Sequence, residues 1–441
     1  MKHLTLTTTV LCLSLLAAAT AMAGPHIETW RTSNGARAYF VAAPEIPMID
    51  TRIVFAAGSA RDGDHAGIAA LTNGLLNEGA GDLKADAFHE QMSATGAIMG
   101  QGAERDMAYA SLRTLADGEH AERALALFVT ALAKPRFDSA AVELDKARTL
   151  VGLKHKQQSP AALAADVFYA SLYPKHPYGS PPDGTAASVA ALSDADIRAF
   201  HQRYYVAQNA VIAVVGAIDR ARAAAIAEQL SGALLTGERA AVLPPVETPP
   251  AQQKQVDFPS IQSHVIIGMP GIKRGDPDYF PLLVGNHALG GSSLVSILFN
   301  EVRNKRGLSY GVSSSFNAMA EAGPFAAQLQ TDRKQQEEAL KVLRDTVRDF
   351  IEQGAPAASI EAARQNLVDS FPLRVSSNRQ VAEYLAMIGF YDLPLDYLET
   401  FSAKVAQVTP AMVNEAFARR VPFERLTTVV VGRATHDDKG P

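Results

Sequence analysis

Apolar and polar positions alternate in HIETW and in ARAYFVAA, on either side of SNG, which predicts a strand, a tight turn and a second strand. DTRIVFAAGSA continues as a third strand that ends in a glycine turn. From Gly67 the apolar spacing becomes helical, and Ala/Leu-rich helical segments follow at Glu119 to Ala133 and Ala140 to Lys156. MAYASLRTL, lying before them, alternates as a strand does. SDADIRAFHQRYY begins at a capping-type Ser193 and predicts a helix, and NAVIAVVGAID is apolar throughout, as a buried strand is.

This order of elements then repeats. IQSHVIIGMPG matches the DTRIVFAAG strand, and TPAMVNEAFARRVPFERLTTVVVGRA matches SDADIRAFHQRYYVAQNAVIAVVGAI, with Gly432 falling where Gly216 fell. Between the copies, LPPVETPPAQQKQVDFP is rich in proline and polar residues and reads as an extended linker. The expected architecture is α+β: two homologous halves, residues 24–240 and 259–441, joined by a linker at 241–258. Each half is expected to be a mostly antiparallel sheet covered by helices on one face.

Composition narrows the class. A chain of 441 residues, 47% of them hydrophobic, exceeds one ordinary core, and a net charge of −5 without a basic block excludes the footprint of a nucleic-acid binder. Lys2 and His3, an apolar run and Ala21-Met22-Ala23 before Gly24 form a secretory signal, 1–23, with cleavage expected after Ala23. The expected compartment is a bacterial periplasm, with the cell exterior as the alternative. The only cysteine, Cys12, lies within that signal, so disulfides, thiol nucleophiles and thiolate ligands are not expected after cleavage. No later apolar run approaches a membrane span of roughly 20 residues.

The candidate chemistry comes from five segments: AGSARDGDHAGIAALTNGLLNEGAG, PRFDSAAVELDKARTLVGLKHKQQSP, KHPYGSPPDGTAASVAALSDADI, LGGSSLVSILFNEVRNKRGLSYGVSSSF and IGFYDLPLDYLETF. In this order they resemble the pitrilysin and insulinase superfamily of zinc peptidases, in the branch of mitochondrial processing peptidase. The resemblance covers nearly all of the chain after the signal. Catalytic members carry H-x-x-E-H on the first helix, where shared helical facing brings two imidazoles to one Zn2+ and a glutamate to its water. That pattern falls here on Ala70, Asn73 and Gly74, none of which supplies the required group. The family's third ligand, a glutamate, falls at Val151 or Gly152. Of the other histidines, His65, His89, His155 and His176 lack a partner at helical spacing, and no metal is expected on this chain. His176, in KHPYG, is expected to hold a loop, and Asp392, Leu393, Pro394 and Tyr397 to mark a turn and its packing.

The second half keeps what the first has lost. The resemblance places a substrate-binding arginine and tyrosine at Arg303 and Tyr310, with Arg306 the competing arginine one turn on. In active members this pair comes from the domain opposite the zinc, the tyrosine donating to the developing oxyanion and the arginine holding a substrate carbonyl. Gly290, Gly291, Ser292 and Ser293 lack the lysine and spacing of a phosphate loop and are expected to form a flexible turn that lets the next helix approach the opposite domain, with Gly290, Gly291 and Ser292 as substrate-binding candidates. Members of this branch work as paired chains, one with zinc and one without. The resemblance therefore implies a non-zinc subunit that supplies Arg303 and Tyr310 in trans to a homologous zinc-motif partner, for peptide hydrolysis. The alternative is a non-catalytic peptide-binding or scaffold protein. Gly100 to Asp106, GQGAERD, is the segment in which a peptide-binding strand edge is to be sought.

Overall fold

The computed structural model describes residues 26–292 and 294–432. The signal segment 1–23, with Cys12 and the Ala23 cleavage position, and Ser293 lie outside the described residues. The first sheet comprises β1 (Glu28–Arg31), β2 (Arg37–Ala42), β3 (Met48–Phe55), β4 (Ile98–Ala103), β5 (Ala108–Leu115) and β6 (Ala210–Gly216). The second comprises β7 (Gln253–Val256), β8 (Gln262–Pro270), β9 (Val312–Phe316), β10 (Pro324–Asp332) and β11 (Thr427–Val431).

Strand order exposes the duplication. The first sheet runs β1-β2-β6-β3-β5-β4 and the second β7-β11-β8-β10-β9, so that β2, β6, β3, β5 and β4 correspond to β7, β11, β8, β10 and β9. Each sheet contains one parallel pair, β2 with β6 and β7 with β11, in the same place, and β3 and β8 each run antiparallel to both neighbours. β7 lies within the segment expected to be linker. Its sequence QKQV is polar and largely exposed, so it carries no hydrophobic signal and is held by main-chain pairing to β11.

The helices that position the site are α1 (Ile68–Gly74), α2 (Ser139–Lys156), α3 (Pro160–Leu172), α4 (Asp194–Tyr204), α5 (Tyr279–Asn286), α6 (Ala357–Arg374), α7 (Asn378–Phe390) and α8 (Tyr397–Ala406). Ser193 caps α4 as expected, its hydroxyl accepting from the Asp196 N–H while the Asp196 carboxylate accepts from the Ser193 N–H. β5 alternates buried and half-exposed residues, whereas β6 is buried at every position. The second pattern requires cover on both faces. One face of the first sheet packs on helices of its own half, and the other receives α7 from the second half, with Val381, Leu385 and Ile388 in one core with Tyr39, Val54 and Val211.

The exchange is reciprocal. α3 of the first half lies on the second sheet, where Ala164, Phe168 and Leu172 join Ile266, Val429 and Val431. Glycines make these contacts close: a Cβ on Gly389 would stand 2.5 Å from both Tyr39 and Val211, and one on Gly268 would stand 2.7 Å from the Phe168 ring. A buried polar clasp closes the seam. The Asp106 carboxylate accepts from Tyr178 Oη at 2.5 Å, from the Ala320 N–H at 2.7 Å and from Tyr391 Oη at 2.9 Å. Arg37 pairs with Asp392, whose φ of 51° marks the expected turn, and also donates to the Gly389 carbonyl.

Candidate functional site

The helix that would carry zinc is built from its own N-terminus. Gly67 takes a φ of 95°, and the buried Asp62 carboxylate accepts from the Gly67 N–H at 2.7 Å and the Ala69 N–H at 3.1 Å. These bonds fix α1 beside the edge strand β4, where Gln101 Nε2 donates to the Gly74 carbonyl. Ala70 and Gly74 lie one turn apart and half-buried. Asn73 is turned into the core, 1% exposed, and its Nδ2 donates to the Tyr109 carbonyl and to Tyr205 Oη, each at 3.1 Å. The residue expected at the general-base position is therefore a structural amide that joins α1 to β5 and to the segment after α4.

Neither position expected for a third ligand supplies a ligating group: Val151 is 57% exposed, and no atom lies within 4 Å of a Cβ built on Gly152. Asp145, two turns before Gly152 on α2, lies against α1, its Oδ2 3.3 Å from where a Cβ on Gly74 would stand. Burial raises the Asp145 carboxyl above its ordinary range, and the neighbouring Glu78 adds to the rise. The two acids have no histidine to complete a site: among the described residues no three His, Cys, Asp or Glu side chains converge on a metal position. His176 holds a loop, with Nε2 2.9 Å from the Pro244 carbonyl and Nδ1 accepting from the Tyr178 N–H. His65 lies 3.8 Å from Asp196 on the surface.

Of the segment 100–106, residues up to Ala103 belong to β4, which among the described residues pairs with β5 alone and leaves its other edge unpaired. Asp106 is withdrawn into the clasp between the halves.

Arg303 and Tyr310 come together in the second half. Arg303 lies on a wide helical turn, Phe299–Asn304, that Gly307, at φ 63°, terminates. The chain then returns through Ser309, whose hydroxyl donates to the Gln330 carbonyl at 2.5 Å. This return lays the Tyr310 carbonyl 3.3 Å from Arg303 Nη1, with the guanidinium 4.8 Å from the Phe299 ring centre. Tyr310 is 81% exposed, so its hydroxyl is available from outside the chain. Arg306 is engaged differently: it donates to the Glu301 carbonyl and pairs with the Glu301 carboxylate at 2.8 Å, which, together with Lys305, holds that carboxyl below its usual range. Only Arg303 of the two is without a carboxylate among the described residues.

The glycine turn packs closely against this strand. A Cβ on Gly290 would stand 2.5 Å from Ser314 N of β9, so the buried Gly290 packs directly against that strand. Gly291 and Ser292 reach the surface, followed by Leu294 and Val295, 70% and 82% exposed.

Comparison with known proteins places these features. The structure superposes on the crystal structure of a peptidase M16 inactive domain from Pseudomonas fluorescens with a TM-score of 0.90, at 38% identity, over 93% of this chain and 98% of that one. The chain belongs to the peptidase M16 family. Residues 191–367 match the family described as the peptidase M16 inactive domain. An uncharacterized zinc protease of Mycobacterium bovis is 28% identical to this M16 chain over 298 residues, 66% of this chain and 67% of the relative. A non-peptidase homolog from Helicobacter pylori is 24% identical over 402 residues, 89% of this chain and 90% of the relative. This chain is an inactive M16 member, in keeping with Ala70, Asn73 and Gly74 at the zinc-motif positions.

Proposed function

We propose that this M16 chain is the non-zinc subunit of a periplasmic or secreted heterodimeric metallopeptidase. It lends Arg303 and Tyr310 to a cleft whose Zn2+ is bound by a homologous partner carrying H-x-x-E-H. The observation that carries the reading is the pair itself: two exposed residues, the Arg303 guanidinium donating to the Tyr310 carbonyl, with the arginine unclaimed by any carboxylate among the described residues. Zinc on the partner supplies the activated water for hydrolysis. The Tyr310 hydroxyl donates to the carbonyl oxygen of the scissile bond as negative charge grows on it, and the Arg303 fork holds a neighbouring carbonyl of the extended peptide.

Mixed with such a partner, the chain should elute as a one-to-one complex, and chelator-sensitive peptide cleavage should appear in the mixture but not with this chain alone or with a partner whose H-x-x-E-H has been removed. Failure to form the complex, or cleavage by this chain alone after metal removal, would overturn the proposal. The unpaired edge of β4 favours a second reading, a peptide-binding protein without a catalytic partner. Peptide binding by the isolated chain, unaffected by Tyr310→Phe and unaccompanied by any complex, supports that reading instead.

A further inference from the structure

A second site lies away from both the emptied zinc helix and the Arg303–Tyr310 pair. A cavity of about 420 Å³ opens between α5, α7 and α8, walled by Tyr279, Leu283, Tyr384, Met387, Tyr397 and Phe401. Arg274 and Arg374 enter it. Arg274 Nη1 donates to Tyr279 Oη at 3.2 Å, but its buried Nε has no acceptor. Burial raises the Tyr384 hydroxyl's pKa, and Arg374 and Arg274 both oppose the rise.

Glu104 lines the adjoining cavity, and the carboxylate that lines this one is already taken. Glu383, the one acid lining the cavity, is 3.2 Å from Arg379 and 3.9 Å from Arg52. Neither Arg274 nor Arg374 has a carboxylate within 4.0 Å among the described residues. A second cavity, of about 550 Å³, shares Arg274, Glu383 and Met387 with the first and extends toward Arg105, whose buried Nη1 also has no acceptor. A guanidinium that lines a cavity and has no carboxylate partner is satisfied best by an anionic oxygen. The aromatic and aliphatic walls call for an apolar group next to that anion.

We infer that this cavity binds an α-carboxylate bearing a large apolar side chain, with the carboxylate on Arg274 and Arg374 and the side chain against Tyr384, Tyr397 and Phe401. Such a group occurs at the C-terminus of a peptide and in a free or acylated amino acid. The site owes nothing to the zinc partner, and its test involves no cleavage.

Isothermal titration calorimetry on the full chain would compare N-acetylphenylalanine with its amide, and alanyl-alanyl-phenylalanine with its C-terminal amide. Each acid should bind, and each amide should bind about tenfold more weakly or worse. Tighter binding of the tripeptide acid identifies a peptide C-terminus as the ligand, and equal binding identifies the single residue. Arg274→Gln and Arg374→Gln should each weaken the acids by about tenfold and leave the amides unchanged. Should Arg274→Gln not fold, Leu283→Trp, which fills the cavity, should abolish binding with the melting temperature retained. Equal binding of acid and amide, binding unaltered in the arginine variants, or no binding by any probe at millimolar concentration would overturn the inference.

Discussion

Asn73, where the resemblance places a catalytic glutamate, turns its amide into the core, between Tyr109 and Tyr205. Asn73→Ala should therefore lose about 1–3 kcal/mol in urea unfolding, because Tyr109's carbonyl and Tyr205's hydroxyl lose a buried donor. A loss within about 0.5 kcal/mol would contradict that role. Asp62 gives a pH signature. Burial pushes its carboxyl up from 3.8 to about 7, although the Gly67 and Ala69 N–H groups pull it down. The folded protein binds that proton more tightly than the unfolded chain, so the stability it contributes is full below 3.8 and lost as pH rises through about 7. Wild type should gain on Asp62→Asn as pH falls across this range, by at most about 4 kcal/mol. A difference independent of pH would contradict the assignment. His201 slopes the other way: burial lowers it to about 4, so its contribution is present above 6.5 and lost as pH falls. The difference between the two proteins isolates Asp62 from it.

Among the elements, the exchanged helices α3 and α7 decide how the halves hold together. Gly389→Ala would place a methyl group against Tyr39 and Val211 and should destabilise by about 1–3 kcal/mol, read as a lower denaturant midpoint with an unchanged slope. An unchanged midpoint would mean that α7 has room to withdraw from the first sheet. Much of this scale was legible in advance. Ser193 announced a helix, alternation announced β5, and the repeated glycine after VVG announced the duplication. The helix exchange was not, because an amphipathic helix declares an apolar face without declaring which sheet will cover it. The unbroken apolar run of β6 was the available sign that both faces needed cover. β7 escaped notice because QKQV pairs by its backbone alone. Motif spacing located Ala70, Asn73 and Gly74, whereas the facing of Asp145 depends on how the elements between α1 and α2 set the register of the two helices.

For the whole molecule, the clasp at Asp106 ties the two sheets into one body. Asp106→Ala strips the acceptor from Tyr178, Tyr391 and the Ala320 N–H together and should cost about 3 kcal/mol or more in thermal or urea unfolding. A cost below about 1 kcal/mol would show that the seam is held by its apolar contacts alone. A rigid body of this kind suits a subunit that presents a fixed pair of side chains to another chain, since a donor held in place before the reaction needs no reorganisation during it. The most direct test is the rate of chelator-sensitive peptide cleavage by this chain saturated with a homologous H-x-x-E-H partner, comparing wild type with Tyr310→Phe. Donation in trans predicts a fall of about 100- to 1,000-fold with complex formation unchanged. Equal rates from the two complexes would contradict it.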